Sequence, residues 1–210
     1  MENPVIIFGA KQVGQTALDI FNSNNVVVYC FLDDDVSLHQ TELHNVPVLG
    51  NTDDEAYLKI LGKKCEMFIA SDDATVRKSL AEKMKADYQQ VAVNAIHSRS
   101  YVSEHAWIGH GNLVNAGAVI QTGARLGDNC IVQSNAVIEN GAEIGNYVQV
   151  GAGAMINANA IVGEQAFIGT GAVIVGGVKI GKKARVGAGA VVVADVPANQ
   201  TVFGNPAQKV

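Results

Sequence analysis

Aliphatic residues recur at every sixth position from Ile96 to Val192 without a slip. From Ile108 onward, a residue that is usually alanine stands two positions before each aliphatic. An amphipathic helix repeats every 3.6 residues and a half-buried strand every 2, so neither produces this spacing. A period of six is typical of a β-helix in which each hexad supplies a short strand and a corner. Residues 94–196 are therefore predicted to form a parallel β-helix.

The repeated columns predict how the β-helix core is filled. The aliphatic residue should point inward from its strand, and the small residue should point inward near a corner, where little volume remains. Glycine often follows the aliphatic residue, as at Gly151, Gly169 and Gly187, and is expected there because corners require backbone angles that other residues avoid. Stacked coils should pair their strands at about 4.8 Å.

Residues 1–93 follow a different pattern, in which short apolar runs alternate with helix-like segments. The predicted strands cover 4–8, 26–32, 64–70 and 88–95, residues 46–50 are a short strand or a turn, and the predicted helices cover 16–21, 53–61 and 73–85. Alternating strands and helices indicate a parallel sheet with crossover connections. This part of the chain is predicted to be a small Rossmann-like α/β domain.

Ligands of such sheets bind beyond the carboxyl ends of the strands, and three loops lie there. The first, residues 9–14, places glycines where helix N–H groups can hold a phosphate, although its G-x-x-x-x-G spacing lacks the middle glycine of the dinucleotide fingerprint. Lys11 in this loop either offsets phosphate charge or is a solvated loop lysine. Asp33 in the second loop either accepts from a sugar hydroxyl or is a polar strand end. The third loop contains Asp72.

The segment 197–210 leaves the period of six. Two prolines and a glycine within it, Pro197, Pro206 and Gly204, are typical of an extended tail with turns. Phe203 is expected to cover the last coil, whose strand edges would otherwise be unpaired.

Composition narrows the function classes. With 210 residues, a formal net charge of -5 and a pI near 5.5, the chain has no basic footprint for nucleic acid or an anionic membrane. Neither a bilayer-spanning apolar segment nor a signal-peptide pattern is present, so a cytoplasmic location is expected. Cys30, Cys65 and Cys130 are scattered in apolar contexts and are predicted to be buried thiols rather than a disulfide framework or a metal site.

Several segments together resemble one family, the left-handed β-helix sugar-nucleotide acetyltransferases. This group includes the sialic acid O-acetyltransferase and the bacillosamine and perosamine N-acetyltransferases. The resemblance rests on the hexads, the glycine turn and the segments 31–35, 46–50, 96–100 and 204–207. It implies an acyl-CoA-dependent N- or O-acetyltransferase that uses acetyl-CoA and no metal on a nucleotide-linked amino sugar in surface glycan biosynthesis. It also implies a homotrimer with active sites between neighbouring β-helices.

The resemblance assigns candidate site residues as well. The catalytic histidine of the family falls on Asn140, next to Glu139, and a second histidine, which assists at the acetyl-CoA thioester, falls on Gln149. The acyl-CoA groove falls on Gly169-Thr170-Gly171 and Gly187-Ala188-Gly189. The nucleotide-sugar site falls on Lys11, Gln12, Val13, Asp33, Asp34 and Asp72, of which Asp33 and Asp34 match the family and Asp72 replaces a glycine.

Asn140 changes the expected chemistry, because an attacking amine or hydroxyl must lose a proton. Histidine accepts a proton near neutral pH, whereas an asparagine amide does not, and loss of a general base costs roughly 10²–10⁴ in rate. The alternative candidates for a base are Glu143, Tyr147, His105 and His110. Two functions stay open: an acyltransferase with an altered base, and a catalytically silent trimer that binds CoA or another metabolite.

Overall fold

The computed structural model describes residues 3–210, which form two compact units. The first unit ends at Ser98 and the second comprises Arg99–Val210. The first is an α/β unit and the second is a parallel β-helix, so the predicted fold class is confirmed.

The first unit contains a five-stranded sheet and three helices. The elements in chain order are β1 Val5–Phe8, α1 Gln12–Ser23, β2 Val28–Leu32, a 3₁₀ turn Val36–Leu38, β3 Glu42–Leu43, β4 Val46–Gly50, α2 Glu55–Leu58, β5 Glu66–Ile69, α3 Ala74–Tyr88 and β6 Ala95–Ile96. The sheet order is β3-β4-β2-β1-β5, and β3 alone runs antiparallel to its neighbour. β1 lies between β2 and β5 and is buried along its whole length. A ligand of this fold binds beyond the carboxyl ends of such strands.

Helix boundaries in this unit follow local capping. Asp73 begins α3 by accepting from the N–H groups of Thr75 and Val76, at 2.7 and 3.3 Å, and these hydrogen bonds hold the pKa of Asp73 below its usual value. The predicted strand over 88–95 is wrong apart from its last residue, because α3 continues to Tyr88 and ends at Gln89 in the left-handed conformation. The predicted helix over 53–61 is shorter than expected and consists of α2 alone.

The β-helix stacks mostly two-residue strands into three sheets, named here faces 1, 2 and 3, whose strands run parallel except for the last strand of face 3. Face 1 contains β7 Tyr101–Val102, β10 Val119–Ile120, β13 Val137–Ile138, β16 Met155–Ile156, β19 Val173–Ile174 and β22 Val191–Val192. Face 2 contains β8 Trp107–Ile108, β11 Arg125–Leu126, β14 Glu143–Ile144, β17 Ile161–Val162 and β20 Lys179–Ile180. Face 3 contains β9 Leu113–Val114, β12 Ile131–Val132, β15 Gln149–Val150, β18 Phe167–Ile168, β21 Arg185–Val186, β23 Thr201–Gly204 and β24 Ala207–Lys209.

Paired residues in neighbouring strands of these faces lie 18 positions apart, as Val119 and Val137 do, so one coil contains three hexads. Corner 1 is the set of turns that follows the face 1 strands, and corners 2 and 3 follow faces 2 and 3. Along the chain, face 1 therefore comes after corner 3 and before corner 1. This order decides which surfaces flank face 1.

The inward columns fill the core as predicted. Every aliphatic residue of the period from Val114 to Val192 is buried, and the alanines of the small column from Ala118 to Ala190 are at most 1% exposed. Asn112 is the polar member of the small column, and its Oδ1 accepts from the Cys130 N–H at 2.7 Å. A period of six thus fixes both columns, because each returns to an equivalent place in the next hexad.

The reason predicted for the glycines that follow the aliphatic residues is wrong. Positive φ angles occur two positions later, at Gly153 and Gly171, and also at non-glycine residues such as Tyr147 and Asn159. At Gly169 the constraint is space, since a Cβ there would lie 2.5 Å from the backbone nitrogen of Ala188 on the next coil. Glycine is needed because the coils stack closely at this position.

The tail continues face 3. Val202 in β23 pairs with Val186 and is buried, and β24 folds back antiparallel to β23. Val202 is the inward residue of β23, and the Phe203 ring, although 50% exposed, packs over Gly187 of the last coil, as expected.

Cys30, Cys65 and Cys130 are free and buried, as predicted. Burial raises the pKa of Cys30 to about 12, which keeps it a protonated thiol.

Among the helices of residues 3–210, none has the length and apolar character needed to cross a bilayer.

Candidate functional site

A cavity of about 580 Å³ opens at the carboxyl end of the strands in the first unit. Its walls include all six residues predicted to bind substrate, namely Lys11, Gln12, Val13, Asp33, Asp34 and Asp72. Sequence reasoning missed Gln15 and Thr52, which also line it. Thr52 lies just beyond β4, so the rule that sites form at strand ends was the available signal.

The glycine turn brings the start of α1 to this cavity. Gly9 has φ 115°, and a Cβ there would overlap the carbonyl oxygen of Ala70, while a Cβ at Gly14 would overlap the carbonyl oxygen of Gly9. Lys11 precedes α1 without providing a side-chain cap. The N–H groups of the first helical turn are therefore available to an anion, which the helix dipole also favours.

Asp33 ties two loops of the cavity together. Its Oδ2 accepts from the Ala10 N–H at 2.7 Å, its Oδ1 accepts from the Asp35 N–H at 2.9 Å, and the side chain belongs to a residue only 8% exposed. Each carboxylate oxygen can accept a second hydrogen bond. Asp33 is therefore a structural anchor that retains some capacity to bind a ligand hydroxyl.

Asp34 has a comparable structural partner. Its Oδ1 accepts from the N–H of Thr52 at 2.8 Å and from the Thr52 hydroxyl at 2.9 Å. This pair holds the loop after β4 against the loop after β2. Both carboxylates that match the family pattern thus shape the cavity wall before any ligand binds.

Replacing Asp33 with alanine is expected to destabilise the protein by about 1–3 kcal/mol, because the buried N–H of Ala10 would lose its acceptor. Asp72→Ala is the control, since the Asp72 carboxylate is exposed and makes no hydrogen bond within residues 3–210. Chemical denaturation measures both free energies of unfolding. Equal free energies of unfolding for the two variants would contradict the anchoring role of Asp33.

Cationic groups near the cavity are already engaged. The Lys11 ammonium lies 3.3 Å from Asp35 Oδ2, with both side chains exposed, and hydrogen bonds from Ser37 and then Lys11 lower the pKa of Asp35. Arg77 is buried, and its Nη1 donates to the carbonyl oxygens of Ser71 and Asp72 at 2.8 and 3.1 Å. A phosphate at the start of α1 would therefore compete with Asp35 for Lys11.

A second candidate site involves the two corners that flank face 1. The outward residues of face 1 are apolar throughout: Tyr101, Val119, Val137, Met155, Val173 and Val191. Face 2 instead presents charged residues such as Arg125, Glu143 and Lys179. Face 1 is thus a continuous apolar surface bordered by corner 3 on one side and corner 1 on the other.

Backbone N–H groups of corners 2 and 3 differ in how they are satisfied. In the first two coils of corner 2, side chains of the next coil accept from them: Asp128 Oδ1 from the His110 N–H at 2.8 Å, and Asn146 Oδ1 from the Asp128 N–H at 2.9 Å. In the described part of the chain, the N–H groups of Thr170 and Ala188 in corner 3 donate to no protein acceptor. Corner 3 therefore offers a row of free donors.

The residues of corner 3 are also small, and its surface is open to solvent. A Cβ at Gly171 or at Gly189 would meet no atom within 4 Å, and Thr170 and Ala188 are exposed on consecutive coils. Gln149 lies on face 3 just before this corner, between Ile131 and Phe167. The three residues predicted to bind acyl-CoA thus share one side of the β-helix.

Asn140 lies at corner 1, across face 1 from Thr170 and Ala188 in the same chain. Its side chain is exposed and forms no hydrogen bond within residues 3–210, while its carbonyl oxygen accepts from the Asn159 N–H at 3.1 Å. Glu139 is half-buried beside it. One chain therefore does not bring the predicted catalytic and acyl-CoA-binding residues together.

The alternative bases lie elsewhere on the β-helix. Glu143 is exposed on face 2, and Tyr147 and His110 belong to corner 2. Only His105 shares corner 1 with Asn140, two coils away, or about 10 Å along the stack, and its Nε2 lies 3.5 Å from Glu104 Oε1. Within residues 3–210, no group of three or more His, Cys, Asp or Glu side chains is arranged to hold a metal ion.

Two family models match the chain. The bacterial transferase hexapeptide model matches four overlapping windows, 105–140, 123–158, 141–176 and 159–194, and the PglD N-terminal domain model matches 4–84. No curated protein sequence matches the chain.

Solved structures match the chain over its whole length. Perosamine N-acetyltransferase from Caulobacter crescentus, solved as a histidine-to-asparagine mutant with CoA and GDP-perosamine, is 31% identical, with 100% of this chain and 98% of that chain covered and a TM-score of 0.91. The acetyltransferase domain of PglB from Neisseria gonorrhoeae is 29% identical, with full coverage of both chains and a TM-score of 0.92. WeeI from Acinetobacter baumannii is 27% identical, with full coverage of both chains and a TM-score of 0.87.

These findings define the class as a left-handed β-helix transferase with an N-terminal α/β domain. The chain belongs to the hexapeptide-repeat sugar acetyltransferases, the family that the sequence resembles. It is therefore an acyltransferase by family.

Proposed function

We propose that this protein transfers an acetyl group from acetyl-CoA to an amine or hydroxyl of a nucleotide-linked amino sugar in surface glycan synthesis. The observation that carries the proposal is the likeness of the whole chain, both units included, to the perosamine enzyme, which was solved with CoA and GDP-perosamine. The PglB acetyltransferase domain was solved with acetyl coenzyme A. Acetyl-CoA would supply the activated acetyl group as a thioester.

Corner 3 has the chemistry that an acyl-CoA requires. The pantetheine arm is a narrow chain with two amide groups, so it needs a low surface and hydrogen-bond donors for its carbonyl oxygens. Gly171 and Gly189 leave the surface low, and the free N–H groups of Thr170 and Ala188 are such donors. Gln149 at the edge of the corner would donate its amide hydrogens to the thioester region.

The apolar face 1 fits a homotrimer. Six outward apolar residues in one column are expected to be covered by other copies, and three copies around a three-fold axis form a closed assembly. Because corner 3 and corner 1 border this face on opposite sides, corner 3 of one copy would meet corner 1 of the next. Asn140 would then stand across the groove from the Thr170 and Ala188 of a neighbouring copy.

The cavity of the first unit is the proposed site for the nucleotide. The start of α1, with Gln12, Val13 and Lys11, would hold the diphosphate, and the remaining acceptor capacity of Asp33 and Asp34 would bind hydroxyl or base N–H groups. Asp72 adds a negative charge that disfavours a diphosphate close to it. The acceptor is therefore expected to place its phosphates at the α1 side of the cavity.

Asn140 sets the chemistry apart from that of a histidine enzyme. Its amide can position the acceptor or donate a hydrogen bond to the oxyanion, but the proton of the attacking group must leave by another route. A histidine-to-asparagine mutant of the perosamine enzyme holds both CoA and GDP-perosamine, which supports ligand binding in a site altered in this way. The same substitution favours the second candidate, a silent relative that binds CoA without turnover.

Thiol release from acetyl-CoA, measured against a panel of nucleotide amino sugars, tests the proposal. The protein should release CoA with at least one acceptor in the panel. Release only after Asn140→His, and never with the unaltered chain, would instead identify the silent relative.

Replacing Ala188 with tryptophan is expected to raise the KM for acetyl-CoA at least about 10-fold and leave nucleotide-sugar binding unchanged, because the indole would fill the groove at corner 3. Lys182→Trp is the matched control, as Lys182 takes the equivalent exposed position in corner 2 and has only a surface ion pair with Glu164. Steady-state kinetics with each substrate varied measures both effects. Equal KM values for the two variants would argue against donor binding at corner 3.

A further inference from the structure

Positive charge is concentrated at the C-terminal end of the β-helix. Five of the 15 Lys and Arg residues of the chain lie between positions 179 and 210, together with one acidic residue, Asp195, although the chain as a whole has a net charge of -5. These cations are Lys179, Lys182, Lys183, Arg185 and Lys209. Lys182 is paired with Glu164 at 2.9 Å. This end of the molecule therefore attracts anions while the rest of the chain is acidic.

An exposed aromatic ring lies at the same end, on the border of corner 3. The ring of Phe203 covers Gly187, since a Cβ at Gly187 would overlap it. Gly187 closes the column of closely stacked glycines that begins at Gly151 and Gly169. Phe203 is nevertheless 50% exposed, so packing on Gly187 uses only part of its surface.

The strand register places a cation and an amide on the same side as this ring. Thr201 pairs with Arg185, and Thr201 and Phe203 are two residues apart on β23, so Arg185 and Phe203 project from the same side of face 3. Gln208 pairs with Phe203 across the β23–β24 hairpin and shares that side. Arg185 stacks its flat guanidinium over the Phe167 ring at 4.7 Å, an arrangement that leaves its N–H edges for anions.

We infer that Phe203 is the platform on which the adenine base of the donor stacks, with the donor phosphates near Arg185. The inference rests on the proposed function, which lays the pantetheine arm along corner 3 and so directs the nucleotide end of CoA toward the last coil. Every base has a π-face for stacking on an aromatic side chain, and the guanidinium edges of Arg185 match the phosphates. Phe203 is thereby assigned a binding role in addition to covering Gly187.

Titration calorimetry with CoA and with pantetheine, which lacks the nucleotide, tests this assignment. Phe203→Leu keeps an apolar side chain on Gly187 but removes the aromatic face, and it should weaken CoA binding roughly 10-fold and leave pantetheine binding unchanged. Phe203→Trp should retain CoA affinity. Trp107→Leu is the matched control, because Trp107 is an aromatic residue of nearly equal exposure, 49%, on face 2.

The possible outcomes distinguish failure of the stacking role of Phe203 from failure of the proposed function. Unchanged CoA affinity in Phe203→Leu, or an equal loss of CoA and pantetheine affinity, overturns the stacking role while CoA binding by the unaltered protein upholds the proposed function. A protein that binds neither CoA nor pantetheine at all removes the proposed donor, and the role of Phe203 with it. A loss restricted to CoA and rescued by tryptophan supports the assignment.

Discussion

Asn140→His is expected to increase the rate of acetyl transfer by about 10² to 10⁴, the range that a general base contributes. The imidazole would accept the proton that the attacking amine or hydroxyl must lose. Its gain should disappear as the pH falls below about 6.5, where an unperturbed imidazole becomes charged, and the unaltered protein should show no such transition from position 140. Single-turnover rates with acetyl-CoA between pH 5 and 9 measure both the gain and the profile.

Neighbouring residues set the size of this gain. Position 141 is a glycine with φ 68°, so no acidic side chain follows the new histidine to orient it, and the lower end of the range is expected. Asn140→Ala is the control and should be no faster than the unaltered protein. If alanine and histidine both leave the rate unchanged, position 140 takes no part in the reaction.

Met155→Asp is expected to dissociate the proposed trimer and to abolish acetyl transfer. Met155 projects from the middle of face 1, and three copies of the variant would bury three unpaired carboxylates near one axis, at a cost of several kcal/mol each. Without neighbours, corner 3 of one copy no longer meets corner 1 of the next, so binding of acetyl-CoA should fall as well. Sedimentation velocity measures the oligomeric state, and thiol release measures the activity.

The same coil provides a matched control. Ile161 is the outward residue of the next strand, on face 2, and its exposure of 38% is close to the 42% of Met155. Ile161→Asp introduces the same charge at an equivalent position and should leave both assembly and activity intact. Dissociation by Ile161→Asp but not by Met155→Asp would mean that face 2 forms the interface.

The β-helix was predictable in detail because its constraints repeat. Each hexad returns the chain to the same surroundings, so one rule about inward residues holds from Val114 to Val192. The glycines after the aliphatic residues were located correctly but explained wrongly, because close stacking and positive φ both select glycine. Tyr147 and Asn159 show that the positive φ positions accept other residues, whereas Gly169 has no room for a Cβ.

The first unit was predictable where segments are buried and less so where they are not. The apolar run around Val91 suggested a strand, yet Val91 is 48% exposed and does not belong to one, although the N–H of Val93 donates to the Met67 carbonyl at 2.9 Å. The segment therefore lies against the edge strand β5 without forming the repeated hydrogen bonds of a ladder. The local sequence pattern does not show whether such a ladder forms.

The candidate sites, too, were predictable from the sequence only in part. The cavity residues were predictable because strand ends of a parallel sheet converge, but the partners of Asp33 were not, since Ala10 lies 23 positions away in the sequence. The free donors of corner 3 depend on side chains one coil, or 18 residues, further on. Corner 2 has Asp128 and Asn146 at that spacing, and corner 3 has small residues instead.

A site assembled from two copies of the chain is the central claim, and mixed trimers test it most directly. Ala188→Trp should block corner 3, and Ala158→Trp, one coil from Asn140, should block corner 1, so neither variant alone should bind acetyl-CoA. Refolding the two together at equal amounts should restore binding to about a quarter of the sites, because a random three-fold assembly pairs an intact corner 3 with an intact corner 1 at that frequency. No recovered binding, in mixtures that native mass spectrometry shows to contain both variants, would contradict a shared site.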